Sequence, residues 1–204
     1  MKKMFLASSF KDVANIFEGF IGSVEGKTVT FIPTASIVEK VNFFVKSGRK
    51  ALEKIGMIVD ELDISIAASE VIAEKLAKND FIYISGGNTF FLLQELKRSG
   101  AGNIITEQVN AGKVYIGESA GAMVAAPNIE YAGAMDSVKK APNLENFDGL
   151  GLTDFYTVPH HTNAPFKKAV EKIKNQYSPH LTLHPISNKE AVLVNGDKVE
   201  VRSV

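Results

Sequence analysis

Ser119, His160 and the doublet Gly86-Gly87 are the residues of this chain whose types and settings suit chemistry at a carbonyl group. The serine sits in Gly117-Glu118-Ser119-Ala120-Gly121, after the apolar run Lys113-Val114-Tyr115-Ile116 and before the helix-prone Ala122-Met123-Val124-Ala125-Ala126. A G-x-S-x-G turn between strand and helix lifts Oγ towards a substrate, and small neighbours let the backbone fold that tightly. The amide that follows, of Ala120, then lies at the start of a helix and can help to hold an oxyanion. A plain helix N-cap is another frequent use of such a serine, but capping does not account for small residues on both sides.

A serine hydroxyl is a poor nucleophile until a positioned base takes its proton, and imidazole has a suitable pKa near neutrality. The segment Val158-Pro159-His160-His161-Thr162-Asn163 reads as a strand end before a helix. His160 is the expected base rather than His161. Neighbours at a strand end point to opposite sides, and Pro159 fixes the backbone just before His160. In Ser85-Gly86-Gly87-Asn88-Thr89, two glycines after a buried strand allow a backbone amide to approach a reacting atom, and Thr89 is the expected cap of the next helix. Asn88 and Glu118, beside these turns, are expected to line the substrate pocket. All three turns fall at the carboxyl ends of strands, where parallel sheets gather ligands.

Other candidate constellations are weaker. His180 and His184 have the four-residue spacing of a helical metal pair, but Ser178-Pro179-His180-Leu181-Thr182-Leu183-His184 breaks a helix and then alternates as a strand, with no carboxylate at ligand spacing. Gly86-Gly87 has neither the lysine of a P-loop nor the third glycine of a dinucleotide fingerprint. The expectation is therefore no metal and no cofactor.

The elements that must carry these turns alternate. Met4 to Ser8, Thr28 to Ile32, Met57 to Leu62, Phe81 to Ile84 and Lys113 to Ile116 read as strands. Between them lie helical stripes: Val13, Ile16, Phe17 and Phe20; a long segment from Val38 to Ile55 with Val41, Phe44, Val45 and Leu52; Ser69 to Ala77; a helix through Phe91, Leu92 and Leu96; and Ile104 to Asn110. This rhythm predicts an α/β fold, a doubly wound and mostly parallel sheet flanked by helices. From Pro127 to Gly151 the pattern loosens into a segment expected to cross the surface near the reactive turns. A strand at Phe155 to Val158, a lysine-rich helix from Ala164 to Tyr177, and antiparallel strands from Leu181 to Val201 turning at Asn195-Gly196-Asp197 complete the chain. The lysines of that late helix read as a solvated face.

Composition narrows the function. The 204 residues carry 23 Lys+Arg and 23 Asp+Glu, leaving no net field to draw nucleic acid or an anionic membrane. Residues 1–204 read as one domain, with no linker, repeat or low-complexity tract. The chain has no cysteine, which excludes disulfides and thiolate chemistry. The opening Met1-Lys2-Lys3-Met4-Phe5-Leu6-Ala7-Ser8 is too short an apolar run for a signal peptide, and no stretch approaches the ~20 apolar residues of a membrane span. A cytoplasmic location is the expectation.

Taken together, Ile82 to Thr89 (I-Y-I-S-G-G-N-T), Tyr115 to Ala122 (Y-I-G-E-S-A-G-A) and Pro159 to Asn163 (P-H-H-T-N) resemble the peptidase E family of serine peptidases, which includes aspartyl dipeptidases and cyanophycinases. The resemblance covers nearly the whole chain, including Phe31-Ile32-Pro33-Thr34-Ala35. It implies a fold like that of class I glutamine amidotransferases, with serine in place of cysteine at the elbow. It also implies Ser119 as nucleophile, His160 as general base and then acid, the amides of Gly87 and Ala120 as oxyanion hole, and a small peptide as substrate. An α/β-hydrolase would instead place an acid between serine and histidine, and its histidine near the C-terminus.

The chain departs from the family twice. Where an acid should orient the histidine it reads Pro185-Ile186-Ser187-Asn188-Lys189-Glu190, with Ser187 or Asn188 at the acid's position; Glu190, Ser187 and Asp136 are the candidates for a third triad member. Glu118 stands where aspartyl dipeptidases have a bulky aromatic residue, and in the pocket it would repel an acidic substrate, so strict aspartyl specificity is not expected. The alternatives are a non-catalytic binding or sensor protein on the same fold, and an esterase or amidase using the same serine. Dimerisation is left open.

Overall fold

Short strands with apolar side chains on both faces need helices on both sides, and that requirement organises the chain. The computed structural model describes residues 1–204. Its strands are β1 (Lys3–Ala7), β2 (Thr28–Ile32), β3 (Ile58–Glu61), β4 (Phe81–Ile84), β5 (Val114–Glu118), β6 (Tyr156–Val158), β7 (Leu183–Pro185), β8 (Glu190–Asn195) and β9 (Lys198–Ser203). The helices are α1 (Phe10–Ile21), α2 (Phe43–Lys54), α3 (Ser69–Lys78), α4 (Thr89–Arg98), α5 (Ala101–Asn110), α6 (Ala120–Met123) and α7 (Lys167–Tyr177). Seven strands form one sheet in the order β3-β2-β4-β5-β1-β8-β9. The first five run parallel, and β8 and β9 close one edge antiparallel.

Alternation along each strand divides the core in two. Met4, Leu6, Ile82, Ile84 and Tyr115 face one layer, with Leu92, Leu96, Ile105, Val170 and Ile173 of α4, α5 and α7. Phe5, Ala7, Phe31, Tyr83 and Ile116 face the other, with Phe10, Val13 and Phe17 of α1 and Leu52 of α2. Phe5, Phe10 and Phe17 meet edge to face at 5.3–6.0 Å. Each such buried ring contributes about 2–3 kcal/mol by leaving water, before the entropy of ordering it.

The structure departs from the sequence reading in three places. The long helix starts at Phe43 rather than Val38, because Ile37 and Val41 turn outward and are 50% and 56% exposed. Their spacing imitates a helical stripe without a core to face. The helix after Ser119 has only four residues, Ala120–Met123. Finally, β7 pairs parallel with β6 in a separate two-stranded ribbon and does not join the C-terminal antiparallel pair. Pro185, at the end of β7, has no N–H to extend a ladder, and the backbone amide of Ser187 instead bonds the Glu190 carboxylate at 2.7 Å. The hairpin β8–β9 does turn at Gly196-Asp197, with Gly196 at φ 61°.

No helix is long and apolar enough to cross a membrane.

Candidate active site

The elbow is built by what its glycines avoid. A Cβ on Gly117 would lie 2.5 Å from the carbonyl oxygen of Gly121, and a Cβ on Gly121 would lie 2.2 Å from that of Ile84. Only glycine at both positions lets the strand end fold back against the turn. Between them Ser119 adopts φ 52° and ψ −107°, a conformation that side chains rarely take and that costs ~1–3 kcal/mol. The Ser119 amide is tied to the carbonyl of Ala7 at 2.8 Å, which anchors the bend to β1. The side chain is half-buried and reaches outward.

Opposite it stands His160. Ser119 Oγ and His160 Nε2 are 2.9 Å apart, although the two residues lie 41 positions apart in the chain. The β6–β7 ribbon brings the imidazole there. In parallel strands both carboxyl ends emerge on the same side, so the segments after Val158 and Pro185 run together. Ile186 donates to the carbonyl of Val158, and His161 donates to the carbonyl of Ile186, both at 2.9 Å. Ser8, just past β1, joins this ribbon to the main sheet: its hydroxyl donates to the Ile186 carbonyl at 2.9 Å and accepts from the His160 amide at 3.0 Å. His160 has φ 64°, so these bonds hold a left-handed backbone.

The same ribbon supplies the group behind the imidazole. Asn188 Oδ1 lies 3.0 Å from His160 Nδ1, and the Asn188 amide is fixed by Asn163 Oδ1 at 2.9 Å. An amide oxygen accepts, so this contact assigns the proton to Nδ1 and turns the lone pair of Nε2 towards the serine. Phe166 stacks on the ring at 4.8 Å. Burial pushes the imidazole pKa below its usual value, against a smaller upward pull from Asn188, which keeps the ring a neutral acceptor.

None of the three residues put forward as third partner contacts the imidazole. Asp136 accepts from the amide and hydroxyl of Thr89 at 2.9 and 2.6 Å, so it caps α4; burial raises its pKa and the Thr89 bonds lower it. Glu190 is spent on the Ser187 amide, and Ser187 Oγ accepts from the amide of Lys189.

Gly87 lies beside the elbow and must be glycine. At φ 141° its missing Cβ would fall 2.2 Å from the carbonyl of Ala35. The amides of Gly87 and Ala120 make no hydrogen bond within the chain. Gly86 is packed against Ser119, its absent Cβ 3.1 Å from Ser119 Cβ. Asn88, expected in the pocket, is buried and structural: its Oδ1 accepts from the Phe91 amide and its Nδ2 donates to the Ser137 carbonyl. It therefore caps α4 in the place expected of Thr89, whose hydroxyl is engaged by Asp136.

Glu118 also leaves the pocket. It is 4% exposed and faces the opposite layer, where Oε1 accepts from the Phe10 amide at 2.8 Å and Oε2 from the Tyr83 hydroxyl at 2.6 Å. Burial raises its pKa, with the Tyr83 and Phe10 bonds opposing. The expected pocket carboxylate is a buried structural one.

Of the histidines set aside earlier, His184 packs edge-on against Phe155 at 4.7 Å.

The partners that sequence reasoning did not name are Ser8 and Phe166. Ser8 follows a strand end, as the three reactive turns do, so the same rule could have marked it.

Comparison with known proteins agrees with this geometry. The chain is 58% identical over 199 residues to an uncharacterized peptidase of Listeria innocua, spanning 98% of this chain and 95% of that one. It is 35% identical over 138 residues to Peptidase E of Salmonella arizonae, spanning 68% and 57%. A 1.5 Å crystal structure of a Listeria monocytogenes EGD-e protein provisionally named peptidase E superposes with a TM-score of 0.96 at 55% identity, covering 100% of this chain and 99% of that one. The sequence model of Peptidase family S51 matches residues 4–202, nearly the full length. A peptidase fold matched from end to end, with a serine and a histidine in hydrogen-bonding reach at its strand ends, makes this chain a hydrolase belonging to Peptidase family S51.

Proposed function

We propose that this peptidase hydrolyses short peptides through an acyl-enzyme on Ser119, with His160 as base and acid and Asn188 as the residue that positions the imidazole. The 2.9 Å approach of Ser119 Oγ to His160 Nε2 carries the reading. His160 Nε2 takes the Oγ proton as Oγ bonds to the substrate carbonyl carbon, and the carbonyl oxygen becomes an oxyanion held by the amides of Gly87 and Ala120. The tetrahedral adduct collapses, the C–N bond breaks, and the imidazolium gives its proton to the leaving amine. Water then repeats the sequence on the ester: it loses a proton to Nε2 as it attacks the acyl carbon, the acyl C–Oγ bond breaks, and the imidazolium returns the proton to Ser119 Oγ. The Asn188 oxygen accepts from Nδ1–H throughout, steadying the imidazolium less than a carboxylate would.

Glu118 sets no like charge against an acidic substrate, because its carboxyl lies beneath the elbow on Phe10 and Tyr83. Ser119→Ala is the direct test. The variant should keep the wild-type circular dichroism spectrum, lose hydrolysis of N-terminally free dipeptides and short peptides, and lose labelling by a fluorophosphonate. Retained hydrolysis in a clean preparation rejects the mechanism. A wild-type protein that is not labelled at Ser119 would favour a binding or sensor role instead.

A further inference from the structure

An aromatic ring shares the floor of the site with the nucleophile. Phe44, in the first turn of α2, lays its ring edge over Gly86, so that a Cβ built there would lie 3.6 Å from Cδ2 and Cε2 of Phe44 and 3.1 Å from Ser119 Cβ. Phe44 is half-buried, and Phe43 beside it meets it edge to face at 6.1 Å while 66% exposed. Ile37 and Val41, ahead of α2 in the chain, are exposed as well. A large, half-exposed apolar side chain beside a polar reaction centre leaves surface in water that a ligand can cover.

We propose that Phe44 sets substrate preference, packing against an apolar side chain, aliphatic or aromatic, on the residue whose carbonyl acylates Ser119. The proposal rests on the acyl-enzyme reading above. For a carbonyl carbon to reach Oγ while its oxygen meets the amides of Gly87 and Ala120, the acyl residue must lie over the Gly86-Gly87 backbone. Its side chain then meets the Phe44 ring. A carboxylate in the same place would lose hydration against a phenyl ring. Lys140, on the turn whose Ser137 bonds Asn88, is held by Glu39 at 2.7 Å and is already paired. Phe166 stacks at 4.8 Å on the imidazole that protonates the leaving amine.

The test measures kcat/KM for Leu-Ala, Phe-Ala, Ala-Ala and Asp-Ala with wild type, Phe44→Ala and Phe44→Leu, each checked for folding by circular dichroism. Wild type should favour Leu-Ala and Phe-Ala over Asp-Ala by about tenfold or more, and Phe44→Ala should lower the Leu-Ala to Ala-Ala ratio about tenfold. Phe44→Leu should keep most of that ratio, and it decides the matter together with the wild-type order if Phe44→Ala does not fold. A wild-type preference for Asp-Ala, or a ratio unmoved by Phe44→Ala, overturns the proposal even when a fluorophosphonate labels Ser119. Failure of wild-type labelling overturns the acyl-enzyme reading and this proposal with it.

Discussion

The Glu118 carboxyl and the Tyr83 hydroxyl meet at 2.6 Å beneath the elbow, which turns the residue before Ser119 into a brace between β5 and β4. The same carboxyl accepts from the first amide of α1, at Phe10. One side chain thus joins the strand that leads to Ser119, its neighbour and a helix start. Alternation explains the direction: with Ser119 facing His160, Glu118 faces the layer below.

Removing that brace should destabilise the fold. Glu118→Ala leaves the Phe10 amide and Tyr83 hydroxyl without an acceptor and opens a cavity, an expected loss of about 3 kcal/mol. Glu118→Gln can keep both contacts and should lose far less. The carboxyl's folded pKa lies above its unfolded value of 4.5, so the folded chain takes up the proton first. The stability linked to this proton is fully present in acid and declines as pH rises through the folded pKa. Urea unfolding between about pH 4 and pH 8 should show that decline in wild type and a flatter profile in Glu118→Gln.

Activity should have an acid limb set by His160. A protonated imidazole cannot accept the Ser119 proton, and burial holds the His160 pKa below its ordinary 6.5. The rate should therefore hold through neutrality and fall only as pH drops below that value. The pH profile of kcat/KM measures it; an acid limb centred above 6.5 contradicts the assigned environment.

Asn188 should act through the imidazole. Asn188→Leu removes the acceptor at Nδ1 while filling the space, and a misdirected ring should lower kcat by about a hundredfold with a smaller effect on KM. Asn188→Asp places a carboxylate at the same position, raises the imidazole pKa and should move the acid limb of the pH profile upward. A purely structural asparagine would leave that limb in place.

The glycines of the two turns should tolerate no side chain. Gly121→Ala drives a methyl group to 2.2 Å from the Ile84 carbonyl, and Gly87→Ala drives one equally close to Ala35 in a strained backbone. Each should cost about 3 kcal/mol or more, read as a lowered thermal midpoint. Gly19, with nothing within 4 Å of its absent Cβ, should accept alanine and serves as the control.

Much of this arrangement was legible in the linear chain. β2 and β4 have the bounds read from their apolar runs, and the small residues around Ser119 marked a sharp bend before any contact was known. Pro159 and the alternation rule separated His160 from His161. Those signals are local: strand propensity, turn chemistry and side-chain direction depend on a few adjacent residues.

The rest belonged to tertiary structure. Which side chain stands behind the imidazole depended on β7 pairing with β6, a contact between distant segments that periodicity cannot register. The pairing set Asn188 at Nδ1 and left Glu190, Ser187 and Asp136 to hold backbone amides instead. Val41 shows the same limit from the other side, 56% exposed and ahead of α2 although it is spaced with Phe44, Val45 and Leu52. Its spacing fits a buried helix face, but spacing states only which residues share a direction; what lies in that direction is decided by the packing of the whole chain.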